Sequence, residues 1–72
     1  MDMRRLVGRN LQRERQKQQL TQEQLAEISG FSQQYISGLE KGRRNPTIVT
    51  LFELATALGV SHMDLVRPDR GE

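Results

Sequence analysis

A chain of 72 residues with 35% apolar and 4% aromatic content can enclose one small core, made chiefly of leucine, isoleucine, valine and alanine. Cysteine is absent, which excludes disulfides and thiolate metal sites, and no apolar run approaches the roughly 18 residues of a membrane span or follows the arginine-rich start as a secretory signal requires, so a soluble, cytoplasmic protein is expected. The net charge of +2 is unevenly laid out: Arg4, Arg5, Arg9, Arg13, Arg15 and Lys17 oppose only Asp2 and Glu14 in residues 1–19, and Lys41, Arg43 and Arg44 oppose Glu40 in residues 31–46, while the other segments are acidic, a layout that favours a polyanion partner.

No strand alternation, repeat or low-complexity tract is present, whereas helix start and stop signals recur at short intervals. The expectation is an all-α, compact five-helix domain over residues 1–67 with a short tail at 68–72. The first helix runs from about Met3 to Gln18, with Met3, Leu6, Val7 and Leu11 as its apolar stripe and Arg5, Arg9, Arg13 and Lys17 on another face. As a solvated face, that basic row needs no partner. The second begins at Thr21, where Thr21 and Gln24 form a capping box and Leu20 with Leu25 the hydrophobic staple; it ends at Gly30. Ser32 caps the third, with Phe31 and Ile36 as staple and Gly42 as its left-handed terminator.

Pro46 keeps Asn45 out of helix, and Thr47 caps a fourth helix whose Ile48, Leu51, Ala55 and Leu58 share a face; Gly59 closes it. Ser61 and Asp64 form a last capping box, Val60 and Leu65 its staple, and the fifth helix stops before Pro68. Two short helices joined by a glycine-containing turn, about residues 21–41, make a helix-turn-helix arrangement.

On the third helix, 100° per residue places Ile36, Leu39 and Glu40 on one side and Gln33, Gln34, Ser37, Gly38 and Lys41 on the other, with Tyr35 on the border. Glutamine amides match the donor and acceptor pattern of an adenine edge, and the first turn of such a helix enters the major groove deepest. In isolation two glutamines at a helix start are ordinary solvated side chains. Here they are fixed by a cap and a staple and followed by the cations of 41–44, which suit phosphates.

The segments Leu20-Thr21-Gln22-Glu23-Gln24-Leu25-Ala26, Ser32-Gln33-Gln34-Tyr35-Ile36-Ser37-Gly38-Leu39-Glu40-Lys41-Gly42, Pro46-Thr47 and Ala57-Leu58-Gly59-Val60-Ser61 resemble the helix-turn-helix regulators of the phage Cro and repressor type, the XRE-like family, over roughly residues 6–66. The resemblance implies a phage-repressor-like fold. It also implies base reading by Gln33 and Gln34, phosphate contacts from Gln22 and from the loop Arg43 to Asn45, and an ion pair between Arg15 and Glu40. We add Ser32 and Lys41 to the phosphate set and Ser37 and Tyr35 to the base-reading set. Tyr35-Ile36-Ser37-Gly38 with Arg44-Asn45 is also similar to the controller proteins of restriction-modification systems, in which residues matching Tyr35 and Ser37 contact DNA; packing at the helix border is the other role open to Tyr35. Gly38 departs from the best-known phage repressors, which place a long polar side chain there. Glycine costs a helix roughly 0.5–1 kcal/mol relative to alanine, so it either makes room for close approach to DNA or is a tolerated surface residue.

Neither a catalytic set nor a metal site is expected: His62 has no carboxylate or cysteine cluster beside it, and Ser37 has no base. The function expected is that of a double-stranded DNA-binding transcriptional regulator without cofactor or small-molecule ligand, acting as a homodimer on a two-fold-related operator. Its interface is expected among the C-terminal apolar residues Leu58, Val60, Met63, Leu65 and Val66, some of which must serve the core instead. The rival readings are an antitoxin and a protein-interaction module of the same fold.

Overall fold

The computed structural model describes residues 2–68. It contains helices α1 (Met3–Lys17), α2 (Gln22–Ser29), α3 (Gln33–Glu40), α4 (Ile48–Leu58) and α5 (Met63–Val66) and, among the described residues, no strand. Beyond Pro68, the expected tail lies outside the described residues.

The punctuation follows side-chain chemistry. The Asp2 carboxylate accepts from the Arg4 and Arg5 amides at 3.1 and 3.5 Å and starts α1. That helix ends at Lys17, one residue earlier than expected, because Gln19 turns left-handed at φ 59°. Thr21 and Gln24 form the reciprocal box, with bonds of 3.0 and 2.8 Å. Ser32 and Thr47 each accept one amide of the following turn, from Tyr35 at 3.1 Å and Thr50 at 3.0 Å. The box at Ser61 is incomplete: Asp64 accepts from the Ser61 amide at 3.1 Å, but the Ser61 hydroxyl accepts from Met63, not from Asp64. α5 is accordingly a single short turn, held by packing.

α1 packs on α3 and α5, and α2 on α3 and α4. Leu11, Leu25, Ile36, Leu39, Leu54 and Leu65 are fully buried between them. Two features of α1 lie outside its apolar stripe. A Cβ on Gly8 would stand 2.8 Å from the Glu40 carbonyl oxygen and closer still to that of Leu39, so only glycine admits this approach of the two backbones. Asn10 is buried, and its amide donates to the Leu65 and Arg67 carbonyls at 3.0 and 2.9 Å while its own oxygen accepts from Arg13 at 2.6 Å. This pins the end of α5 onto α1.

Three apolar assignments are corrected. Met3, expected in the core stripe, is 49% exposed. On α4 the buried row is Leu51, Leu54, Ala55 and Leu58, and Ile48 is 64% exposed, because the sector facing α2 is rotated away from the first residue of the helix. Leu58, expected at a dimer interface, is only 3% exposed and belongs to the core, as does Leu65; Val60 and Val66 are half-buried against that core, and Met63 is exposed.

Candidate nucleic-acid interface

The sequence places Gln33 and Gln34 at the first two positions of α3, directly after the Ser32 cap, and the structure leaves both exposed. They line a cleft of about 380 Å³ together with Ser37, Gly38, Lys41, Arg43 and Arg44. The cleft is graded: uncharged amide and hydroxyl groups at the N-terminal end of α3, cations at its C-terminal end and in the loop. The side chain of Gln34 makes no hydrogen bond among the described residues, so its amide keeps both donor and acceptor capacity. The Ser32 hydroxyl oxygen serves the Tyr35 amide, which leaves its proton to donate outward.

Of the expected site residues, Gln22, Ser32, Tyr35 and Asn45 do not line this cleft. Asn45 lines a smaller hollow with Met3, Arg4, Val7, Pro46, Leu51 and Val66. Gln22 reaches the site through a relay. Its carbonyl oxygen accepts from the Gln33 amide at 2.9 Å, and its own amide donates to the Glu40 carboxylate at 3.0 Å. Both Glu40 oxygens in turn accept from Arg15, from Nε at 2.7 Å and from Nη2 at 2.9 Å, while Arg15 Nη1 donates to the Leu20 carbonyl at 2.7 Å.

The side chains of Arg15 and Glu40 are 10% and 3% exposed, so this bidentate pair is buried and its hydrogen-bonding capacity is largely used within the fold. The hydrogen bonds that Arg15 donates to Glu40 hold its guanidinium above its ordinary pKa, with burial opposing them and the Glu40 charge adding to them. The ion pair thus fixes Gln22, and Gln22 orients Gln33. The spacing of two glutamines, each at the first position of a helix behind a hydroxyl cap, is the sequence signal for this link.

At the border of α3, beside the cleft, Tyr35 does two things. Its ring lies 5.3 Å from that of Phe31, tilted by 31°, and the Arg44 guanidinium carbon stands 5.7 Å from its centroid. Packing at the helix border is therefore part of its role. Ser37 lines the cleft beside Gly38, and the space above Gly38 is occupied by the side chain of Arg44.

The helix-turn-helix family profile, HTH_3, matches residues 11–65. An uncharacterised HTH-type transcriptional regulator, y4dJ of Sinorhizobium fredii, is 65% identical over 68 residues, covering 94% of this chain and 88% of its own. The crystal structure of a hypothetical transcription factor, NHTF from Neisseria, superposes with a TM-score of 0.92 at 30% identity, over 96% of this chain and 79% of that one. The restriction-modification controller protein C.AhdI from Aeromonas hydrophila gives 0.83 at 37% identity, over 86% and 94%. Among the described residues, no helix is long and apolar enough to cross a membrane.

Proposed function

Because the chain belongs to the helix-turn-helix family of transcriptional regulators, we propose that it binds duplex DNA sequence-specifically in the cytoplasm, with α3 in the major groove, as a homodimer on a two-fold-related operator. The observation that carries this reading is the graded cleft: exposed amides where the helix enters a groove, cations where the phosphates run. Gln33, Gln34 and Ser37 read base edges, with Tyr35 alongside. Ser32, Lys41, Arg43, Arg44 and Asn45 hold the backbone, and Gln22 joins them while keeping Gln33 in place. Selection from a random duplex pool tests the reading. A palindrome whose half-sites are one helical turn apart is the expected result, and no duplex binding at low salt would favour a protein-interaction module instead.

Gln34→Ala is expected to weaken binding to the selected site by about 1–3 kcal/mol while leaving random duplex nearly unaffected. Equal loss on both, measured by titration at fixed salt, contradicts base reading.

For the dimer, the burial of Leu58 moves the proposed interface outward from the expected set. Ile28 and Phe52 flank one shallow groove, the Phe52 and His62 ring centroids lie 6.2 Å apart, Ile48 and Val49 are exposed one turn before Phe52 on α4, and Met63 is exposed next to His62. Exposed apolar side chains gathered in this way mark an interaction surface, and the groove shares no residue with the amide cleft. A second copy is the occupant we assign, because a two-fold site requires recognition helices about 34 Å apart, a spacing that two domains of 31 × 22 × 20 Å lying side by side can span. Phe52→Glu is expected to leave a folded monomer with weakened operator binding. Sedimentation showing an unchanged dimer places the interface elsewhere.

A further inference from the structure

Glycine at position 38 needs an explanation that the backbone does not supply. Gly30, Gly42 and Gly59 occupy left-handed conformations, but Gly38 is an ordinary helical residue, where any residue other than proline would suit the helix better. What a β-carbon there would meet is Arg44: Cγ at 3.0 Å and Nε at 3.1 Å. The same glycine anchors the loop that carries Arg44. After α3 the Arg43 amide donates to the Gly38 carbonyl at 2.9 Å and the Gly42 amide to that of Leu39 at 3.0 Å, the paired bonds of a Schellman motif turning at Gly42. That closure carries the chain back over α3. Arg44 then lies along the bare backbone at Gly38, with its guanidinium held over the Tyr35 ring, at a distance suited to a cation–π contact.

We propose that Gly38 is a positioning residue that seats Arg44 against the recognition helix, so that Arg44 meets DNA as part of the rigid α3 face rather than as a loose loop cation. The inference rests on the DNA-binding reading above. A long polar side chain at this position would reach toward the groove itself and would evict Arg44; glycine gives up that reach and holds an arginine beside Gln34 and Ser37 instead. Tyr35, stacked on Phe31, is the other wall of the seat. An arginine already placed has less conformational freedom to lose on binding.

The test is a double-mutant cycle on Gly38→Ala and Arg44→Ala, read on the selected duplex at several salt concentrations. Gly38→Ala alone is expected to weaken binding by up to about tenfold and to flatten the salt dependence by less than the roughly one unit that Arg44→Ala removes, because the displaced arginine keeps its charge. Its melting temperature is expected to be unchanged or higher, since alanine favours helix. In the Arg44→Ala background the same glycine change is expected to have little further effect. Full affinity in Gly38→Ala overturns the seat. An equal loss with and without Arg44 also overturns it, because the glycine would then be meeting DNA directly. If the unsubstituted protein selects no duplex, the DNA-binding reading fails first and the seat with it.

Discussion

Gly8→Ala is expected to cost the domain about 2 kcal/mol, although the same substitution favours an isolated helix by roughly 1 kcal/mol. The new β-carbon would stand 2.8 Å from the Glu40 carbonyl oxygen, 3.0 Å from its carbon, and closer still to the Leu39 oxygen. These are backbone atoms of α3 and cannot rotate away, so α1 and α3 must separate. Overpacking of this kind costs about 1–3 kcal/mol or more, and an obstruction made of backbone belongs at the upper end. For a domain of this size a net 2 kcal/mol lowers the melting temperature by roughly 8–16 °C, which thermal denaturation followed by circular dichroism reads directly. Gly38→Ala, whose obstacle is a movable side chain, is expected to go the other way in stability and to lose DNA affinity instead. A Gly8→Ala protein that melts with its parent would mean that the helices do not approach so closely.

Glu40→Ala is expected to be the most damaging single change, at about 3 kcal/mol, because it strands a buried guanidinium. That is a large share of the roughly 4–10 kcal/mol that holds a domain of this length together. Arg15 would keep its bond to the Leu20 carbonyl but lose both partners on Glu40, and Gln22 would lose its acceptor. Since Glu40 holds the Arg15 pKa above its ordinary value, the arginine's share of the stabilisation is fully present below that ordinary value and is lost only as pH rises past the raised one. The deficit should therefore not vary through the neutral range. Replacing both partners with apolar residues, Arg15→Met with Glu40→Leu, is expected to recover most of the stability but not operator affinity, because Gln22 still lacks its anchor. Recovery of both would show that the pair serves the fold alone.

The ends of α2, α3 and α4 are legible in the sequence because each is set by local chemistry: Thr21, Ser32 and Thr47 offer a hydroxyl to an amide within three residues, and Gly30, Gly42 and Gly59 take the left-handed turn. The exposed amide face follows from the same register. What depends on the neighbouring helix is not legible. Gly8 reads as a weak point in a helix until α3 is laid against it, and Asn10 reads as surface until the last turn arrives. Phe52 and Ile48 cannot be told from Leu54 and Leu51 without knowing which side of α4 meets α2. The Arg15–Glu40 pair is expected from the resemblance, but its continuation through Gln22 to Gln33 requires three helices in place at once.

The bond from Asn10 to the carbonyls of Leu65 and Arg67 spans 55 and 57 residues. It joins the two ends of the domain into one folding unit, since the buried amide of α1 has no acceptors, and the core no Leu65, until residues 65–67 are in place. Loosening α5 is therefore expected to loosen α1 and, through it, the recognition helix that packs on α1.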